Sequence, residues 1–274
     1  MVGGGFGGFS AIEVAPDGLA FTAVSDNGAF VRGRFRRDAD GRVAGITTGP
    51  MILLTDPRPV RLAKARNDSE GLAIAPDGTA YVSFEGPARV LRYSALGAAP
   101  ESLPNPREFL AYPHNAGFEA LAIDSNGAVY SIPEELRVFR RPRLLTGQAS
   151  NAGGDDFPVW RFAGGKWSLA FTLPRQGGFL PVAADFGPDG RLYVLERTFH
   201  GIAGFGSRVR SFAVGHSALD QPRTHLRSAV GMHDNLEGLS VWRDAAGMIR
   251  LTMISDNNFL PIQRTEIVEY RLGG

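Results

Sequence analysis

Residues Ser69–Glu85 read SEGLAIAPDGTAYVSFE. A short apolar run meets a Pro-Asp-Gly turn, a second apolar run follows, and the segment closes on an acid. The runs are brief, rich in β-branched and aromatic residues, and bounded by breakers, which marks strands rather than helices. Asp tolerates the left-handed region and Gly supplies positive φ, so the middle reads as a hairpin turn. Four more stretches repeat the pattern: Phe9–Gly28 (FSAIEVAPDGLAFTAVSDNG), Phe118–Glu134 (FEALAIDSNGAVYSIPE), Pro181–Glu196 (PVAADFGPDGRLYVLE) and Leu236–Asp256 (LEGLSVWRDAAGMIRLTMISD).

The turn glycines, Gly18, Gly78, Gly127, Gly190 and Gly247, fall at intervals of 60, 49, 63 and 57 residues. Further strand-like runs fill the intervals: Val90–Tyr93, Val159–Phe162 with Ser168–Thr172, and Val209–Val214. About four strands per repeat is a propeller blade, whereas a solenoid repeats every 20–30 residues. The sequence therefore predicts an all-β fold, a β-propeller of four-stranded antiparallel blades, spanning 1–274 as a single domain. The 17 residues before Gly18 and the 27 after Gly247 amount to less than one interval, so five blades close the ring; six would need more chain upstream. The last blade shows about three strands, ending with Arg264–Leu272, and the N-terminal segment is expected to supply the fourth. Residues 1–8 read as a flexible lead-in.

Composition narrows the function classes. The chain has 29 Lys and Arg against 28 Asp and Glu, a net charge of +1. There is no global field to attract nucleic acid or an anionic membrane, and the basic stretch 137–143 (RVFRRPR) reads as a solvated loop. No apolar run approaches the ~20 residues of a membrane span. Cysteine is absent, which excludes disulfides and thiolate chemistry; closure of the ring would leave no sheet edge to staple. The 35 Gly and 18 Pro argue against a helical bundle. The expected partner is a small molecule and the expected state a monomer.

In a four-stranded blade, the residues just before strand one and just after strand two share one face of the ring, opposite the Pro-Asp-Gly turns. Before strand one stand Asn67, Asp68 and Glu70; Asn115 and Glu119; Asp234, Asn235 and Glu237. After strand two stand Ser25, Asp26 and Asn27; Glu85; Glu134 and Glu135; Glu196 and Arg197; Asp256, Asn257 and Asn258. Carboxylates crowded at a channel mouth repel, so they hold protons or require a cation. An oxygen-rich set suits Ca²⁺, with its 6–8 oxygen ligands. Arg66, Arg89, Arg137, Arg197 and Arg208 are placed to neutralise the acids or grip an anionic substrate.

Other signals are weaker. Gly3, Gly5 and Gly8 satisfy G-x-G-x-x-G, but no strand precedes them and no helix follows. The five histidines lack zinc-site spacing. His114, His200 and His233 lie near the acidic clusters and are candidate general bases.

Several segments resemble the phytase-like family, described as having esterase-like activity of phytase: GGFSAIEV (7–14), NDSEGLAI (67–74), NAGFEALAI (115–123), YVLERTF (193–199), NLEGLSV (235–241) and MISDNNF (253–259). The resemblance covers the whole chain in order. It implies a bacterial periplasmic or secreted propeller related to calcium-dependent propeller phytases. The chain has only Lys64 and Lys166, which argues against the lysine-rich phosphate site of true phytases. The expected function is a calcium-dependent hydrolase of an ester or phosphoester. Glu70, Glu119, Glu237, Asp256, Asp26 and Asn257 would hold the metal. Glu85, Glu134, Glu196 or His200 would take a proton, and Arg89 and Arg197 would steady the anionic group. The alternative is a non-catalytic propeller that binds a ligand or partner, with calcium or Arg–Glu pairs as structural plugs.

Overall fold

The computed structural model describes residues 6–55, 57, 67–85, 88–111, 117–134 and 156–273. Arg66, His114, Asn115, Glu135 and the 137–143 stretch lie outside them.

Five antiparallel sheets stand side by side. Blade 1 is β1 (Phe9–Val14), β2 (Ala20–Ser25), β3 (Ala29–Arg37) and β4 (Val43–Thr48), with the short β5 (Ile52–Leu53) also on β3. Blade 2 is β6 (Ser69–Ile74), β7 (Ala80–Phe84), β8 (Arg89–Tyr93) and β9 (Glu101–Ser102). Blade 3 is β10 (Phe118–Ile123), β11 (Val129–Pro133), β12 (Phe157–Ala163) and β13 (Lys166–Leu173). Blade 4 is β14 (Leu180–Phe186), β15 (Leu192–Phe199), β16 (Phe205–Val214) and β17 (Leu219–Arg227). Blade 5 is β18 (Asn235–Arg243), β19 (Ile249–Asp256) and β20 (Ile267–Arg271).

All five hairpins form in the expected register. Each turn glycine has positive φ, between 66° and 87°. In blade 1 the Gly18 N–H donates to Ala15 O at 2.8 Å, while Asp17 Oδ1 accepts from Leu19 N at 2.8 Å. The Asp-Gly pair therefore fixes the turn from both sides, as its sequence requires.

The ring is closed by side chains. No sheet spans two blades. Instead five apolar clusters fill the five seams, one per neighbouring pair of blades. The seam between blades 5 and 1 holds Phe9, Ile12, Phe21, Trp242 and Ile254. There the Trp242 ring lies over Gly18, where a Cβ would come within 2.3 Å of it. Arg37 of β3 adds a two-pronged ion pair to Glu269 of β20, at 2.7 and 2.9 Å, under the face of Trp242.

Two expectations are corrected here. The N-terminal segment does not complete blade 5: β1 is the inner strand of blade 1, and blade 5 has three strands among the described residues. The seam is already satisfied by the Trp242 cluster and the Arg37–Glu269 fork. Nor do Gly7 and Gly8 belong to a loose lead-in. Gly7 O accepts from Ser25 Oγ at 2.8 Å, Gly8 O accepts from Asp26 N at 2.8 Å, and Gly8 N donates to Asn257 Oδ1 at 2.9 Å. Gly8 has φ +63°, and a Cβ there would come 2.4 Å from Asp26 Oδ1, so only glycine passes.

Candidate functional site

β1, β6, β10, β14 and β18 line the axis as successive neighbours around the ring. Each pairs with its second strand through a register shift at the same place, within Phe9–Ala11, Ser69–Leu72, Phe118–Ala120, Pro181–Ala183 and Leu236–Gly238. The residues at these bulges are Ser10, Glu70, Glu119, Val182 and Glu237. A bulge redirects a side chain out of the pleat, and here it does so at one level of the channel. The next residue is always small: Ala11, Gly71, Ala120, Ala183 or Gly238. A Cβ on Gly71 would meet Glu119 O at 2.7 Å, and one on Gly238 would meet Ala11 Cα at 2.9 Å. The small residue lets the inner strands approach closely, which draws the three glutamates together.

Around them stand Asp26, Asp68, Glu85, Glu134 and Asp256, so among the described residues eight carboxylates share this end of the channel with the guanidinium of Arg197. Arg197 Nη1 donates to Asn235 Oδ1 at 2.5 Å and to Glu237 Oε1; Nη2 donates to Glu134 Oε1 at 2.7 Å. Asn235 Nδ2 also donates to Glu237 Oε1, at 2.8 Å. Burial works against the charge of Arg197, but Glu237, Glu134 and Glu119 overcome it and raise its pKa.

One cation cannot neutralise eight acids. Burial, followed by the fields of Glu237, Asp68, Glu85 and Asp26, holds the Glu70 carboxyl well above the usual range. Burial, then Glu70, Glu134 and Glu85, does the same to Glu119. Glu237 is pushed up to about 7 by burial, against the pull of Arg197. Asp26 and Asp256 rise to about 6, each by burial first and with a contribution from a neighbouring acid. Burial also raises Asp68 and Glu85, although each is pulled back by a hydrogen bond with a neighbouring carboxyl, Glu70 and Glu119 respectively. Glu85 Oε1 further accepts from Gly117 N at 3.0 Å.

Within this group one oxygen each from Asp68, Glu70 and Glu85 lies within 4.8 Å of the others. Two ligands on opposite sides of an ion at about 2.4 Å would stand about that far apart. The donor set fits a hard cation: carboxylates only, in excess of the local positive charge, with further acids alongside to complete a shell.

The structure thus brings together Glu70, Glu119, Glu237, Asp26, Asp256, Glu85, Glu134 and Arg197. It places others elsewhere. Glu196 is fully buried between Arg208, at 2.8 and 3.0 Å, and Arg210, at 2.7 and 2.6 Å. Strand alternation sends its side chain to the sheet face opposite that of Arg197, so it does not join the mouth. Asn257 uses its side-chain oxygen to clasp Gly8 N and, at 3.3 Å, Phe259 N. His200 is exposed on the turn after β15, with Nε2 3.2 Å from Thr198 Oγ1. His233 Nε2 lies 2.8 Å from Tyr270 OH. Arg89 is buried against the Phe84 ring, and its Nη1 reaches Glu85 O at 3.3 Å. Asp68 enters the tight group although sequence reasoning assigned the metal to other acids; its signal was the Asp-x-Glu spacing before β6.

The sequence matches the phytase-like family, described as esterase-like activity of phytase, over residues 4–259. The chain belongs to that family. No curated protein matches it. Solved structures share the fold at low identity. The PQQ-bound aldose sugar dehydrogenase of Streptomyces coelicolor is 14% identical, with 97% of this chain and 94% of that one covered and a TM-score of 0.50. The virginiamycin B lyase of Staphylococcus aureus is 14% identical, with 96% and 69% covered and a TM-score of 0.44. The gluconolactonase XC5397 of Xanthomonas campestris is 14% identical, with 86% and 66% covered and a TM-score of 0.47. The chain spans about two thirds of the length of the last two. These likenesses bear on the fold alone. Among the described residues of this phytase-like protein, no helix is long and apolar enough to cross a membrane.

Proposed function

We propose that the protein is a divalent-cation-dependent hydrolase of an ester or phosphoester, with calcium held by Asp68, Glu70 and Glu85 at the channel mouth. The observation that carries this reading is the convergence of three carboxylate oxygens within 4.8 Å inside a ring of eight acids. A bound cation would polarise the substrate oxygen and lower the pKa of a water. Glu119, Glu237, Asp26 and Asp256 surround the triad, and burial raises all four toward or beyond neutrality, with Glu237 at about 7, so they are suited to exchange a proton with substrate or water. Glu134 accepts from Arg197 Nη2 at 2.7 Å and orients it. Arg197, with its side chain 17% exposed, faces the mouth and stabilises negative charge developing on the substrate. We also place the protein in the periplasm or outside the cell, on the strength of the family.

The second reading is a ligand-binding propeller in which the mouth is a structural plug. The Arg197 clasp on Glu134, Glu237 and Asn235 favours it, since both terminal nitrogens already have partners. Turnover of a panel of aryl esters and phosphoesters separates the two. The hydrolase reading expects activity that EDTA abolishes, calcium restores, and Glu70→Gln removes from a folded protein. A calcium-loaded, folded protein with no turnover on the panel supports the plug.

A further inference from the structure

Three residues beyond the bulge, the inner strands carry a second set of equivalent positions: Glu13, Ala73, Ala122, Asp185 and Ser240. Two of the five are acids, on blades 1 and 4. They belong to the opposite end of the channel, where the Pro-Asp-Gly turns lie. That end opens into a cavity of about 1310 Å³, lined by Glu13 and Asp185 and by apolar side chains that include Ile74, Ile123, Phe186 and Trp242.

Asp185 is only 8% exposed. Its Oδ2 accepts from Val241 N at 2.6 Å, which fixes the carboxylate on the cavity floor. Glu13 keeps part of its surface open; its carboxyl accepts from the Ile74 backbone N–H and has one weak side-chain partner, Ser240 Oγ at 3.5 Å. Burial, then the charge of Asp185, holds the Glu13 carboxyl well above its ordinary range. Burial lifts Asp185 to about 7 against two backbone N–H bonds. Among the described residues neither carboxyl has a cationic partner, and a cation placed beside them would favour their ionised forms. Arg32, Arg34 and Arg243 of the same cavity are exposed to solvent rather than paired with them.

Two desolvated acids are costly; each takes up a backbone N–H of the next inner strand, Val241 N for Asp185 and Ile74 N for Glu13, while the alanines at the matching positions of blades 2 and 3 show that an inner strand can stand here without an acid. Two carboxyl groups amid apolar walls supply too few oxygens for a hard metal ion. An anion would be repelled by either carboxylate, and a neutral ligand would leave both carboxyl groups without a counter-charge. An ammonium group would pair with them, and Phe186 and Trp242 suit both an apolar body and a cation. The size and the lining, mostly apolar with a few fixed polar groups, are those of a small-molecule pocket.

We propose that this cavity is a second binding site, separate from the carboxylate mouth, for an organic ammonium ion with an apolar body, its charge on Glu13 and Asp185 and its body against Ile74, Ile123, Phe186 and Trp242. The test titrates the full chain with phenethylammonium and with its neutral counterpart 2-phenylethanol, by calorimetry and NMR, with and without saturating calcium. The ammonium is expected to bind about tenfold more tightly than the alcohol, the size of one charge-assisted hydrogen bond, and calcium should not displace it. Asp185→Asn, which keeps an oxygen for Val241 N, should erase the difference while circular dichroism stays unchanged. Glu13→Gln provides a second reading if that variant fails to fold. Equal affinity for the two probes, no saturable binding, displacement by calcium, or tight ammonium binding retained in both variants would overturn the proposal.

Discussion

Raising the pH from 5 to 8 should destabilise the protein in EDTA. Glu237 holds its proton to about pH 7 in the folded chain, against an ordinary 4.5. Between these values the native state binds more protons than the unfolded one. The stabilisation is therefore complete below the unfolded pKa and is lost as pH rises through the folded pKa. At about 1.4 kcal/mol per pH unit, this one group accounts for about 3 kcal/mol. Asp26 and Asp256, at about 6, act in the same direction. Glu237 raises Asp26, Asp26 raises Asp256 and Asp256 raises Glu237, so their contributions do not simply add. For a domain of this size 3 kcal/mol corresponds to a fall in Tm of about 6 °C or more. His225 works the other way: burial, then Arg191, lowers its pKa, so it costs stability as pH falls. Comparison with Glu237→Gln cancels that contribution. Differential scanning calorimetry at half-unit steps provides the measurement, and the variant should lose up to one proton's worth of slope. A Tm that is flat or rises between pH 5 and 8 in EDTA, or a slope unchanged in Glu237→Gln, would refute the reasoning.

Calcium should reverse that trend, because its binding requires ionised carboxylates: the rise in Tm on adding it should be larger at pH 8 than at pH 5, growing with the logarithm of concentration. Arg197→Met should cost about 3–5 kcal/mol in chemical denaturation at pH 8 by leaving Glu134 and Glu237 buried without a counter-charge, and less at pH 5, where Glu237 is protonated. Glu196→Gln should destabilise by a similar amount, through Arg208 and Arg210, yet leave calcium affinity unchanged in titration calorimetry. Trp242→Ala should cost about 3–5 kcal/mol by opening the seam between blades 5 and 1; a loss under 1 kcal/mol would mean that the Arg37–Glu269 fork alone closes the ring.

How far the site could be read in advance depended on whether a residue's role was local. The Glu-Gly and Glu-Ala pairs at the start of β6, β10 and β18 are local features, and they marked three of the glutamates. Their neighbours Asp26, Glu85, Glu134 and Asp256 followed from strand direction. Glu196 and Arg197 are adjacent in sequence and both charged, and only the pleat decides that one faces the channel and the other the Arg208–Arg210 pair. Asn257 looked like a ligand because it follows Asp256, yet its side chain reaches across the seam to Gly8, 249 positions away.

The sequence by itself determined the repeat, the turns and hence the propeller with its five blades, because hairpin chemistry is written in consecutive residues. It also determined that no site can use a thiolate, since cysteine is absent. Tertiary structure alone decided how the ring closes, which acids share a proton or a charge, and which arginine answers them. Those outcomes depend on distances between blades about 60 residues apart in the chain and on how deeply each group is withdrawn from water. The two acids of the lower channel show this most plainly. In the sequence Glu13 and Asp185 are single charges in apolar strands; only the ring sets them at the floor of the same cavity.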